Sequence, residues 1–221
     1  MRGVLALLFA SLSLAGCSFL NPDLDERLPA EKISVEDRQA RLLSITSWEM
    51  QGRISVKSSR DGANATLIWE QEDEKSEINL FGAFGAGAVR IVQKPGEAVL
   101  FRSGEKALYG ESAEQLLLWE TGLNIPLYNL GSWLRGLPGE GAEPLYDSYG
   151  RLRSLRYVDA HDIPWAATFE RYREVDGYEL PVRVRVEGSD YLIKLTTEKW
   201  DAEGSEADGS SRRLQIPGQE T

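Results

Sequence analysis

The sequence is poor in the residues that build disulfide frameworks and metal centres. Its 221 residues contain one cysteine and one histidine. A single cysteine excludes an intramolecular disulfide and any structural zinc site made of several cysteines. A single histidine excludes a multi-histidine metal site. We therefore expect neither a metal nor a cofactor.

The sequence also lacks an excess of basic residues. Lysine and arginine total 25 against 35 aspartates and glutamates, which gives a formal charge of −10 and a sequence pI near 4.8. A protein that binds a nucleic-acid backbone needs a net basic face, so we expect no nucleic-acid partner. The length suits one domain with a sizeable core.

No hydrophobic run is long enough to cross a bilayer. The longest, residues 4–15, has twelve residues, ten of them apolar. As a helix it would span about 18 Å, short of the roughly 30 Å hydrocarbon core. It is typical of the hydrophobic part of a signal peptide, after the basic residue Arg2.

The end of this run explains the lone cysteine. Leu14-Ala15-Gly16-Cys17 resembles the bacterial lipobox, in which the cysteine is lipidated and the preceding segment is removed. We predict a signal peptide over residues 1–16 and lipid attachment at Cys17. The alternative is an ordinary secretory signal with an incidental cysteine. Ser18 follows where the usual enteric sorting pattern has Asp for retention in the inner membrane, so it favours the outer membrane.

The remaining chain divides into three parts. Residues 17–33 hold two prolines and four acidic residues and predict a flexible tether. Residues 34–200 form the predicted domain. Residues 201–221 contain three glycines, five acidic residues and no aromatic residue, which predicts a disordered tail.

The domain alternates polar and apolar residues over most of its length. A helix is predicted from Ser34 to about Ile45, and strands follow from Trp48 onward. Two short helices, Gln115–Thr121 and about Leu130–Arg135, interrupt a total of ten or eleven short strands. The count predicts a mainly β fold, a curved sheet or incomplete antiparallel barrel, with helices over its concave side or open mouth.

Few residues suggest chemistry. His161 lies in a polar turn and is most simply a solvated histidine, because no nucleophile-elbow motif is present. We predict no catalytic residue. The uncharged segment Phe81–Ala88 has three glycines and two phenylalanines. It is either a glycine hairpin with both rings in the core or a protruding loop that exposes Phe84.

Aromatic residues supply much of the apolar volume. The six tryptophans either fill a plain core or line a lipid cavity, for which flat side chains are well suited. Residues 116–119 cover most of a helix circumference, so that helix is expected to be buried on several sides or to cap a mouth. The cavity candidates are Trp48, Trp69, Leu117, Trp119, Trp133 and Trp165.

Several motifs in order resemble the LolB family. They are the lipobox, the first helix, Trp48 with Gly52-Arg53, the Gly-Phe loop, Thr121-Gly122 with Ile125-Pro126-Leu127, and the run from Trp133 to Gly139. The resemblance covers about residues 34–200.

The resemblance implies a fold and a function. Members of the family are outer-membrane receptors that accept lipoproteins from the periplasmic carrier LolA and insert them into the membrane without ATP. Their fold is an incomplete antiparallel barrel of eleven strands, closed by helices over an apolar cavity. The family's protruding loop has a leucine between proline and glycine. Ala83-Phe84-Gly85 matches it here, so the membrane-insertion role falls on Phe84. We expect a monomer.

Two other functions stay open at this point. The first is a non-catalytic outer-membrane assembly lipoprotein whose sheet binds another protein, which would have a filled core and no bound lipid. The second is a periplasmic hydrolase that depends on His161.

Overall fold

The computed structural model describes residues 32–59, 62–82, 88–122, 124–188 and 190–202. The predicted signal peptide, Cys17 and the loop residues Ala83, Phe84 and Gly85 lie outside the described residues. So do the predicted tail after residue 202 and all of the predicted tether except residues 32 and 33.

Eleven strands form one antiparallel sheet whose two edges do not meet. The spatial order is β6-β5-β4-β3-β2-β1-β11-β10-β9-β8-β7, so the first and last strands of the chain's β region are neighbours in the middle. In chain order the strands are β1 (Ser47–Ser58), β2 (Gly62–Glu72), β3 (Lys75–Phe81), β4 (Ala88–Lys94), β5 (Glu97–Arg102), β6 (Leu108–Gly110), β7 (Glu143–Tyr146), β8 (Leu152–Val158), β9 (Pro164–Val175), β10 (Tyr178–Glu187) and β11 (Tyr191–Asp201). The prediction of an incomplete antiparallel barrel with about eleven strands is confirmed.

The strands bury alternate residues, as the sequence pattern predicts. In β1, Trp48, Met50, Ile54 and Val56 are buried while their neighbours are partly or fully exposed. The buried faces of the strands and of the helices form one hydrophobic cluster. Because side chains of a strand point alternately to opposite faces, one face of the sheet is apolar and must be covered.

Helix α1 (Val35–Leu43) begins and ends as predicted, to within two residues. The Ser34 hydroxyl accepts the N–H of Asp37 at 3.0 Å, which caps the first turn. Arg38 is buried, forms an ion pair with Glu179, and donates from Nη2 to the carbonyl of Tyr149 at 2.9 Å. These contacts fasten α1 to the β7–β8 turn and to the start of β10.

Two more helices, α2 (Ala113–Thr121) and α3 (Leu127–Leu134), lie between β6 and β7 in the chain. The prediction for α2 is confirmed: Ser112 is its N-cap, and Gly122 ends it in the left-handed region with φ of 72°. The prediction for α3 was wrong by three residues at its start. Pro126 occupies the N-cap without a side-chain cap, and the cap comes from a residue of α2. Local sequence does not reveal a cap from 14 residues away.

The antiparallel order assigns the end of each strand to one of two ends of the sheet. Strands β1, β3 and β10 end, and strands β2, β4 and β11 begin, at the same end, which we name the loop end. The turns 73–74 and 176–177 lie at the opposite end, together with α1. A twelve-residue strand such as β1 spans about 40 Å, so these two ends are far apart. Among the described residues, no helix is long and apolar enough to cross a membrane.

A β-bulge at Gly52 generates a stability prediction. The register of β1 against β11 shifts between Gln51 and Gly52, and a Cβ at Gly52 would lie 2.3 Å from the carbonyl oxygen of Thr196. Gly52→Ala should therefore force the two backbones apart and cost about 1–3 kcal/mol in urea unfolding. Gly62→Ala is the control, because its Cβ would meet its nearest neighbour at 3.6 Å. Equal losses in the two variants would contradict the packing argument.

Candidate functional site

An apolar pocket lies between the sheet's buried face and the α2–α3 pair. Asn64 is the one polar residue among its described lining residues. The lining residues are Ile54, Val56, Ala63, Asn64, Ala65, Leu67, Trp69, Ile78, Leu80, Ile91, Leu117, Ile125, Leu127, Leu130 and Leu195. Such a surface attracts apolar groups and offers almost no hydrogen bonds to orient a polar ligand.

The pocket is nearly full. Its cavity volume is about 30 Å³. An apolar cavity of about 150 Å³ holds one benzene ring. A long apolar ligand can therefore enter only if part of the wall moves.

The pocket extends from Trp69 toward the loop end of the sheet. Val56, Ala63 and Ala65 come from the parts of β1 and β2 next to connection 59–61. Leu80 is two residues before connection 82–87, at the end of β3. The pocket residues Val56, Ala63 and Leu80 thus lie toward the loop end of the sheet, whereas α1 lies at the other end.

Helix α2 is fixed to the sheet along its length. The N–H of Ala113 donates to Gln93 Oε1 at 2.7 Å, and Glu120 forms an ion pair with Arg102. At the other end, the Tyr191 hydroxyl donates to the carbonyl of Gly122 at 3.2 Å. Helix α2 is therefore a firm part of the pocket wall.

Glu114 joins α2 to α3. Its carboxylate Oε1 accepts the N–H of Tyr128, in the first turn of α3, at 3.0 Å. Burial raises the pKa of Glu114 above its usual value, and nearby Asp159 raises it further, while the Tyr128 and Leu127 N–H groups and His161 oppose the rise. The carboxylate thus sits partly out of water and serves as the cap that Pro126 lacks.

Two of the six cavity candidates line the pocket, Trp69 and Leu117. Trp48 is buried next to Trp69, with ring centroids 5.8 Å apart, and contacts Trp200 at 5.1 Å on its other side. It therefore packs against the wall residue Trp69 without lining the pocket itself. The Trp69 indole N–H donates to the Ser76 hydroxyl at 2.8 Å, which fixes the ring at the pocket.

Trp133 and Trp165 belong to the core but are not among the lining residues. Trp133 is fully buried, donates to the carbonyl of Pro138 at 2.9 Å, and so holds the turn after α3. Trp165 donates to Asp159 at 3.0 Å and stacks on Tyr191 with ring centroids 6.4 Å apart.

Trp119 lies outside the pocket, unlike the sequence expectation. Its side chain is 64% exposed, and Leu118 is 37% exposed, whereas Leu116 and Leu117 are buried. Helix α2 is therefore covered on one side only. Four consecutive large apolar residues must point around the helix in all directions, and only the packing selects which of them face inward.

Most of the pocket wall was missed by sequence reasoning, which favoured aromatic residues. The wall is largely aliphatic and comes from inward positions of β1 to β4 and β11, from Leu117 of α2, and from Ile125, Leu127 and Leu130. Strand alternation could have indicated the inward positions. Alternation gave no such indication for Ile125, Leu127 and Leu130, because they do not lie in a strand and the start of α3 was predicted three residues too late.

The remaining candidate, His161, lies exposed in the β8–β9 turn, where its backbone N–H donates to Asp159 Oδ1 at 2.8 Å. Within the described ranges, no group of three or more His, Cys, Asp or Glu side chains is placed to hold a metal ion.

Comparison with known proteins gives consistent matches. Residues 46–200 match the family model described as outer membrane lipoprotein LolB. The outer-membrane lipoprotein LolB of Halorhodospira halophila is 32% identical over 197 residues, which cover 89% of this chain and 94% of that protein. That of Ectopseudomonas mendocina is 30% identical over 88% of this chain and 94% of its own length.

Solved structures support the fold. A LolA-superfamily protein from Nitrosomonas europaea superposes with a TM-score of 0.51 at 12% identity, over 76% of this chain and 94% of that one. At this identity the likeness concerns the fold alone.

The contrast between two tryptophans is testable. Trp119→Ala should change the free energy of unfolding by no more than about 0.5 kcal/mol, because the ring is mostly in water. Trp133→Ala should cost about 3–5 kcal/mol, since it empties a fully buried site. Both values come from chemical denaturation. A loss at Trp119 as large as that at Trp133 would contradict the outward orientation of Trp119.

Proposed function

Because the chain belongs to the LolB family of outer-membrane lipoproteins, we propose that it is a receptor that accepts lipoproteins from a LolA-like periplasmic carrier and inserts them into the outer membrane. It does so as a monomer, without ATP, a cofactor or a catalytic residue. The apolar pocket under α2 and α3 carries the proposal, because its aliphatic lining suits the acyl chains of the incoming lipoprotein once part of the wall has moved to admit them.

The need for such a pocket is physical. Each methylene of an acyl chain costs about 0.8 kcal/mol in water, so a lipoprotein with several chains does not diffuse freely through the periplasm. A carrier must hide the chains, and a receptor must take them over directly. Transfer then runs downhill through differences in affinity, from carrier to receptor to bilayer.

Cys17 and Phe84 have different roles in this proposal. A lipid on Cys17 holds the chain to the membrane, and acyl anchors with two or more chains are stable. Phe84, in the connection at the loop end, delivers the chains into the bilayer. Phe81, the last residue of β3, pairs with Ala88, the first residue of β4, and directly follows the pocket residue Leu80.

Filling the pocket should block acceptance. Ala65→Phe places a ring in the pocket and should lower acceptance about tenfold, an overpacking cost of about 1.4 kcal/mol. Thr66→Phe is the control, since Thr66 is exposed on the other face of the same strand. The full-length lipidated protein in phospholipid vesicles is mixed with lipoprotein-loaded carrier, and lipoprotein that co-precipitates with the receptor is counted.

If Ala65→Phe and Thr66→Phe accept lipoprotein equally well, the pocket is not the acyl site. If the wild-type protein accepts none, the receptor proposal fails and the assembly-lipoprotein function takes its place.

A charge at Phe84 should separate acceptance from delivery. Phe84→Glu should accept lipoprotein normally but insert it poorly, because a carboxylate in the bilayer core is costly. Phe84→Leu, which keeps an apolar side chain, should insert normally. Insertion is measured as the fraction of transferred lipoprotein that resists alkaline extraction from the vesicles. Normal insertion by Phe84→Glu would rule out the role of Phe84.

A further inference from the structure

The pocket is too full for an acyl chain, so some part of its wall must yield. The strands are held by continuous antiparallel ladders, and α2 is fixed to them at Ala113, Glu120 and Gly122. These parts of the wall move only at the cost of several bonds.

Helix α3 is held differently at its two ends. At its C-terminal end, Arg135 Nη1 donates to the carbonyl of Ile45 at 2.8 Å, and Trp133 is buried and bonded to Pro138. At its N-terminal end, the backbone N–H of Tyr128 bonds to Glu114. The pocket residues Leu127 and Leu130 lie in this first turn of α3.

We propose that Glu114 is a positioning residue for acyl-chain entry: its bond to the first turn of α3 holds Leu127 and Leu130 over the pocket, and entry requires this bond to break. The inference rests on the proposed function and adds which part of the wall yields. The first turn of α3 then moves away about its fixed C-terminal end, and the space behind Leu127 and Leu130 becomes available.

The burial of Glu114 is consistent with this role. A carboxylate partly withdrawn from water gains from a backbone donor, and the same burial raises the pKa of Glu114. The bond between Glu114 and the Tyr128 N–H therefore stabilises the first turn of α3 when the pocket is empty. Yet it rests on one side chain, which meets the N–H groups of Tyr128 and Leu127, whereas each neighbouring strand pair shares a whole ladder.

The matched variants are Glu114→Ala and Ser112→Ala. Both remove an N-terminal cap: Glu114 caps α3 over the pocket, while the Ser112 hydroxyl accepts the N–H of Gln115 within α2. Removing either cap should destabilise its helix by the amount usual for the loss of an N-cap. Glu114→Gln keeps an oxygen that accepts the Tyr128 N–H and should behave like the wild type.

Two measurements use the full-length lipidated protein in phospholipid vesicles. Amide hydrogen exchange over residues 124–134 should be faster in Glu114→Ala than in Ser112→Ala and in Glu114→Gln. The rate at which lipoprotein passes from loaded carrier to receptor should rise about fivefold in Glu114→Ala only, which corresponds to about 1 kcal/mol.

The outcomes separate this inference from the receptor function. If Glu114→Ala does not loosen residues 124–134 more than Ser112→Ala does, Glu114 does not position α3. If the segment loosens but the transfer rate is unchanged, the bond does not control entry. If the wild type accepts no lipoprotein while Glu114→Ala still loosens α3 selectively, the receptor function fails and the positioning of α3 by Glu114 stands.

Discussion

The structure depends on one constraint: an antiparallel sheet with one apolar face has to keep that face out of water. Full closure into a barrel would achieve this, but the edges β6 and β7 stay apart among the described residues. Helices α2 and α3 instead cover part of the sheet's apolar face. Their inward residues and those of the strands form one hydrophobic cluster. A helical cover can be displaced without breaking the ladders, whereas a closed barrel cannot open in this way.

The polar contacts of the helices follow from this arrangement. A helix that covers an apolar surface still has unpaired N–H groups at its start, and these need partners. Ser112 serves α2 from within its own chain segment, while α3 starts at Pro126 and takes its partner from Glu114 of α2. The two helices are therefore coupled over the pocket. Helix α1 lies at the far end, where Arg38 bonds it to Glu179 and Tyr149, and Ile45 just after it accepts the Arg135 bond that holds the end of α3.

Sequence reasoning succeeded where structure is local. Strands β1 and β2 have a clear periodicity, and helices α1 and α2 have local caps. The motifs that resemble the LolB family are also short segments of the chain. It failed at the start of α3 and at Trp119. In both cases the deciding partner is distant in the chain: Glu114 caps α3, and the sheet selects which side of α2 is buried. The preference for tryptophans as pocket residues likewise missed an aliphatic wall.

The sequence by itself determined the chemical character of the protein: an acidic chain with one cysteine in a segment that resembles a lipobox, alternating strands, and no candidate for metal or histidine catalysis beyond a single turn residue. These follow from composition and from periodicities of two and 3.6 residues. Only the tertiary structure decided where the apolar surface is concentrated, how little space it encloses, and which turn of which helix stands over it. Volume and mobility of a wall depend on contacts between residues far apart in the chain, and no local pattern records those contacts.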